Sequence, residues 1–328
     1  MTTVRVSHAP QERDLDIGAG TWGFGWAAAA SWLVAVAVTW ALPDKIVWGD
    51  QTGLCALILA IGAGVFIVLA LVPKWRPQAV VHYGPWFVAI GLWLAVWELV
   101  TAKLGWLPKP FFSPPQGLLY VYVTDWERLL ICIGYTGRLW VLGFFSGVVA
   151  GFAAGVALGW SARFAYWGMP LLKLIGPVPA SAWIPCTFFI FPSTFEASVF
   201  LVALASGIPV AILTAAGVGQ VNRAYYDVAL TFGASPRWRI SNIAIPAALP
   251  NVFVGLFMGL YYSFAVLVIA EMLGAKYGLG WYLQFNTSYS AYANVYAALL
   301  VMALICAGLV KLQSVVRERL LGWQKGIL

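Results

Sequence analysis

Eight stretches of this chain, near residues 22–42, 53–73, 84–105, 134–160, 172–192, 195–217, 243–272 and 290–312, run for roughly 20 residues or more with almost no charge. Where lipid surrounds such a segment, every backbone N–H and C=O has to be satisfied internally, and a helix does that for a single run of this length. The stretches therefore read as membrane-spanning helices, the fifth and sixth separated by very little. The fold class that follows is an all-α integral membrane protein of about eight transmembrane helices. Composition agrees: of 328 residues, 62% are hydrophobic and only 9% charged, outside the soluble range. The 18 Trp and 14 Tyr suit side chains that collect where membrane meets water.

Charge and motif content exclude several classes. The net charge of +7 is small for this length, and the Lys and Arg are scattered between spans with no basic stripe, so nucleic acid is not an expected partner. No Lys is followed by Ser or Thr, which rules out a GxxxxGK[ST] phosphate loop. HExxH, GxSxG and Cys/His metal spacings are missing, and the two histidines, His8 and His82, lie outside the spans. An enzyme with its own active site, a resident metal and a bound cofactor are thus not expected. Cys55, Cys132, Cys186 and Cys306 sit singly in apolar stretches, as reduced packing residues do. The polar segment 1–21 lacks the pattern of a cleaved signal, so the first span is expected to be retained. With that tail inside, 13 Lys and Arg fall on the inner side, counting Lys173 at the edge of the fifth stretch, and 6 on the outer, which predicts cytoplasmic N- and C-termini.

One segment breaks the apolar pattern. In residues 222–242, Tyr225, Val228, Ala229 and Phe232 recur at helical spacing, while Arg223, Asp227 and Thr231 mark the opposite face. Gly233 suits a left-handed helix end, and Ser235 followed by Pro236 suits an N-cap and first helical position. Two helices at an angle are predicted around Gly233 and Ala234. An ordinary interfacial loop helix would explain the periodicity equally well.

The spans carry further signals. Gly143, Gly147, Gly151, Gly155 and Gly159 recur every four residues, which predicts a close helix approach whose partner is left open between this chain and a second copy. Pro177, Pro179 and Pro185 require the fifth stretch to be kinked or broken. A broken helix is tolerated where protein or a water-filled cavity meets its freed carbonyls, so Pro177, Pro179, Ser181, Trp183 and Pro185 become pathway candidates. A purely structural kink is nearly as good a reading. Glu98 is expected to be an interfacial carboxylate reaching water, and Glu271 is a gating, contact or loop-stabilising candidate. Residues 116–133 suit one amphipathic helix lying on the membrane surface.

The order Asp227, Ala229, Gly233, Ile243, Pro246 resembles the EAA motif of permease subunits of binding-protein-dependent ABC importers, with Asp227 for Glu, Val228 for Ala and Ile245 for Leu. The resemblance extends over about 84–325. Trp97–Glu98 before LPKPFFSPP is similar to the family's WE and external Pro-rich segment; Pro177, Pro179, Ala182, Trp183, Ile184 and Pro185 are similar to its PxPxxAWIP run. Ala270, Glu271, Met272, Leu273 and Gly274, followed by Gly278, Leu279 and Gly280, are similar to its AEMLG and GLG run. The nitrate/sulfonate/taurine branch is the one the whole region looks like.

That resemblance implies a type I importer permease core at 84–325, with 22–83 as two additional N-terminal spans and 222–242 as a cytoplasmic coupling helix. Tyr225, Asp227, Val228, Ala229, Phe232, Gly233, Ala234 and Ser235 would then seat an ATPase subunit. It further implies a second, identical permease copy, a periplasmic or lipid-anchored solute-binding protein, a bacterial inner membrane and ATP with Mg held on the ATPase. The solutes of the branch are small anions such as nitrate, bicarbonate, taurine or alkanesulfonates. A stand-alone secondary transporter or a membrane scaffold would leave the Asp227–Pro246 spacing unexplained.

Overall fold

The computed structural model of the chain describes residues 22–45, 51–107 and 109–322. The tail 1–21, expected above to be cytoplasmic, and residues 323–328 lie outside the described residues. All regular structure among the described residues is helical. The helices are α1 (Gly23–Ala41), α2 (Thr52–Leu71), α3 (Gln78–His82), α4 (Gly84–Glu98), α5 (Pro115–Thr124), α6 (Trp126–Trp160), α7 (Ala162–Ile175) and α8 (Ile184–Ile190). They continue with α9 (Thr194–Gly219), α10 (Arg223–Thr231), α11 (Pro236–Arg239), α12 (Ile245–Gly274), α13 (Leu279–Ser288) and α14 (Tyr292–Leu320). Seven helices are long and apolar enough to cross a membrane, and α7 with 180–190 forms an eighth candidate bent by 90°. Two compact units divide the chain at Thr124/Asp125.

In the first unit α1 packs against α2 and α4 through small side chains, with Ala28, Ala29, Ala35, Ala63 and Ala95 all buried. Close backbone approach through small residues is how helices gain packing energy in lipid. Trp32 stacks edge-on against Phe66 at 5.5 Å and donates its indole N–H to the Phe87 carbonyl at 3.0 Å. A π-helical turn, Leu99–Lys103, ends α4 and turns Lys103 inward. Its ammonium donates to the carbonyls of Thr39 at 2.6 Å and Leu42 at 2.8 Å and pairs with Asp44 at 2.6 Å. The last carbonyls of α1 have no intrahelical partners, and a cation there is favoured by the helix dipole. Glu98 lies 3.9 Å from the same ammonium and is 1% exposed, so the expectation of a carboxylate reaching water is corrected. A cation turned inward at the end of the same helix makes the burial tolerable.

In the second unit α9 lies between α6 and α12. The glycine row of α6 faces α9 of the same chain, which answers the open question of its partner. A Cβ added at Gly155 would stand 2.7 Å from the Ala211 carbonyl, and one at Gly159 2.7 Å from that of Ala215. At Gly147 and Gly151 the Ala203 and Gly207 carbonyls are closer still. On its other side α9 meets Gly255 and Gly259 of α12, where an added Cβ would reach the Val210 Cα at 3.0 Å and the Ser206 carbonyl at 2.9 Å. Among the polar side chains buried in this sandwich, Ser206 donates to the Val202 carbonyl and Trp140 donates to Ser263 Oγ at 3.0 Å, whereas the Thr214 hydroxyl has no hydrogen-bond partner among the described residues.

Two boundaries differ from expectation. Residues 116–133 form no single surface helix. The chain breaks at Asp125, whose carboxylate accepts from the Tyr282 hydroxyl at 2.6 Å, and α6 begins at Trp126, so that 126–133 extends the span. The fifth stretch begins about ten residues earlier than its apolar core, because α7 is already helical from Ala162.

Candidate functional site

Three places in the second unit gather most of the residues singled out in the sequence. The first is the turn between α10 and α11. Asn222 caps α10 by accepting from the Ala224 N–H at 3.0 Å. At the other end the Ala234 N–H donates to the Ala229 carbonyl at 3.0 Å and the Gly233 N–H to the Leu230 carbonyl at 2.9 Å. That pair of bonds, with Gly233 at φ +73°, is a Schellman helix end. Ser235 then accepts from the Trp238 N–H at 3.3 Å, and Pro236 occupies the first turn of α11. A π-helical turn at Ile240–Ala244 carries the chain into α12, just before Pro246, whose missing N–H could not close an ordinary helical bond.

The two faces of α10 are treated differently. Tyr226 turns inward, its ring 5.5 Å from Trp160, and burial raises its phenol above the ordinary tyrosine range. Arg239 lies over the same indole at 5.7 Å, so Trp160 fastens both α10 and α11. Facing away are Tyr225, Val228 and Phe232, 66%, 58% and 84% exposed, with Asp227 exposed as well. Ala229 alone of the apolar stripe is buried. Tyr225, Val228, Ala229 and Phe232, with Gly233, Ala234, Ser235, Trp238 and Ile243 but without Asp227, border a hollow of about 630 Å³. Three large apolar side chains are thus held clear of the bundle by a capped, anchored turn.

The second place is a cavity of about 780 Å³ between α7, the break that follows it, α9 and α12. Pro177, Pro179 and Ser181 line it; Trp183, Pro185 and Glu271 do not. The break has a direct cause, since Pro177 and Pro179 supply no N–H to the carbonyls four residues before them. From α9 come Leu204, Ile208, Pro209 and Ile212, and from α12 come Met258, Tyr262 and Ile269. Lys173 also lines the cavity, a residue the sequence reading counted only as an inner-side charge. Its signal is a charge near the start of an otherwise apolar stretch.

The third place surrounds Glu271, which is completely buried. Its carboxylate accepts from the Thr136 hydroxyl at 2.8 Å and from the Gly280 N–H at 2.8 Å, while Thr136 Oγ1 accepts from the Leu279 N–H at 2.8 Å. Gly278, at φ +126°, is forced by the same closeness: a Cβ there would stand 2.5 Å from the Glu271 carboxyl carbon. Glu271 therefore clips the α12–α13 turn to α6, the loop-stabilising role among those expected. Thr136 carries no sequence signal of this partnership.

The family described as binding-protein-dependent transport system inner membrane component matches residues 147–321, which include the α10–α11 turn, the cavity and Glu271. The chain belongs to this family. Among curated relatives, the permease is 30% identical to the taurine transport system permease protein TauC of Escherichia coli over 76% of its own length and 93% of the relative's. It is 27% identical to the nitrate import permease protein NrtB of Synechococcus elongatus, over 76% and 90% of the two chains. The putative aliphatic sulfonates transport permease protein SsuC of E. coli is 28% identical over 76% of this chain and 93% of that one. Among solved structures, a chain of the inward-facing MetNI methionine ABC transporter superposes with a TM-score of 0.50 at 15% identity, covering 60% of this permease and 97% of that chain. The fold is thus that of an ABC importer permease, and the chain is a multi-pass membrane transport subunit.

Proposed function

We propose that two identical copies of this permease form the path of an ATP-driven importer for a small anionic solute in a bacterial inner membrane. An external solute-binding protein delivers the solute. A separate ATPase subunit, carrying ATP and Mg, seats on the α10–α11 turn of each copy from the cytoplasm, where both termini also lie. The observation that carries the reading is the exposure of Tyr225, Val228 and Phe232 on a turn whose capping and Trp160 anchorage make it rigid. A large apolar knob kept in water is expected to have a partner, because burying one such side chain is worth about 1.5–3 kcal/mol. Nitrate, taurine and aliphatic sulfonates in the relatives' names favour a small anion as the solute. Closure of the ATPase pair would move the turns together and tilt α9 and α12 around the cavity.

The test is co-purification of the permease with its partner ATPase subunit. Phe232→Asp is expected to lower recovery of the ATPase at least about tenfold, the equivalent of about 1.4 kcal/mol, while leaving the permease monodisperse. Equal recovery with Phe232→Asp and with the unaltered chain would sink the docking assignment.

A further inference from the structure

We infer that Lys173 is the solute-recognising residue of the mid-span cavity, selecting solutes that carry a negative charge; the inference rests on the cavity being the transport path. Of all residues bordering the cavity, Lys173 is the one with a formal charge, and no carboxylate joins it there. Among the described residues no acidic group lies within ion-pair distance of its ammonium. The remaining polar side chains on the wall are the hydroxyls of Ser181 and Tyr262, which can donate to an anion without adding charge.

Depth makes this lysine unusual. The 35-residue α6 ends at Trp160 and α7 begins after the turn at Ser161, which puts that turn at one edge of the bundle. Lys173 is eleven residues beyond Ala162, about 16 Å along the helix at 1.5 Å per residue, so its depth reaches at most about half of a 30 Å hydrocarbon layer. Other wall residues agree: Pro209 lies near the middle of α9 and Met258 near the middle of α12. An ammonium at that depth is costly to place in lipid and is kept where it faces water or a ligand. A single cation on apolar walls draws anions in and repels cations, since the field is little screened there. Solutes with one anionic group, such as a sulfonate, a nitrate or a carboxylate, fit this chemistry.

The experiment places a thiol beside the lysine. In a chain carrying Cys186→Ser, Cys306→Ala and Ser181→Cys, with the buried Cys55 and Cys132 left in place, the whole importer is reconstituted in liposomes. The rate of modification is then measured with the anionic reagent sulfonatoethyl methanethiosulfonate and with its cationic trimethylammonioethyl counterpart. The expected result is an anionic-to-cationic rate ratio that falls about tenfold with Lys173→Gln and with Lys173→Met, and returns with Lys173→Arg. Reaction at both reagents with a ratio that ignores residue 173 would overturn the assignment of Lys173 and leave the transport path standing. Failure of both reagents to reach the thiol, from either side and in every nucleotide state, would overturn the path and the inference with it. The Arg and Met variants separate loss of charge from loss of fold, as does recovery of each variant in the intact assembly.

Discussion

At the residue scale, the side chains that matter most are those whose polarity is out of place. Glu271 is buried with donors from Thr136 and Gly280 and with no cation in reach among the described residues. Removing one donor leaves a buried carboxylate short of a partner and the Leu279 N–H without an acceptor. Thr136→Val is therefore expected to destabilise the chain by about 2 kcal/mol, whereas Glu271→Gln, which keeps an acceptor oxygen, costs less than Glu271→Ala. Thermal unfolding of the purified variants in detergent checks both the loss and its order. Gly233 offers a cleaner case, because an added Cβ there meets nothing within 4 Å and only the positive φ resists substitution. Gly233→Asn should cost a few tenths of a kcal/mol and Gly233→Val more than about 1 kcal/mol, read as the strength of ATPase association. Equal binding by the two variants would remove the left-handed turn from the argument.

At the scale of elements, the contact of α6 with α9 depends on absent side chains. Gly151 faces the Gly207 backbone directly, while Gly137, on the same helix, has no atom within 4 Å of where its Cβ would stand. Gly151→Leu is expected to separate the helices and abolish a monodisperse product, and Gly137→Leu to leave yield and melting unchanged. Comparable behaviour of the two variants in size-exclusion chromatography would mean that the helices are held by something other than close approach. α10 and α11 follow a different logic, being short, charged at their ends and held by caps and by one indole. Trp160→Ala should loosen both, seen as faster amide exchange across 223–239 with the spans unaffected.

At the scale of the whole molecule, the bent pair of α7 and 180–190 decides the sidedness of the chain. Seven spans and one crossing pair give eight passages and put both termini on one side; a re-entrant pair gives seven and puts them on opposite sides. Reporter fusions at residue 1 and residue 328 are expected to read the same, cytoplasmic, side. Impermeant labelling of cysteines at 220 and 276 should come from opposite faces, since only α12 crosses between them. A cytoplasmic N-terminal reporter with an external C-terminal one would make the pair re-entrant and reverse everything after Ser161.

Much of this protein was determined by the order of its residues alone. Helical spans follow from apolar runs, because lipid leaves the backbone no other partner, and the Asp227–Pro246 turn follows from Gly233, Ser235 and Pro236, because caps are local chemistry. Prolines at 177 and 179 foretold a break for the same reason. Tertiary structure alone decided what lies across from what. Nothing in the glycine row names α9, since small residues specify closeness and not a partner. Glu98 was expected to reach water, and its burial beside Lys103 depends on α1 presenting the Thr39 and Leu42 carbonyls, and on Asp44, at the end of α4. Thr136 meets Glu271 across 135 residues of chain. Lys173 acquires its meaning from walls supplied by α9 and α12, because whether a charge is solvated, paired or waiting for a ligand is set by neighbours that only folding brings together.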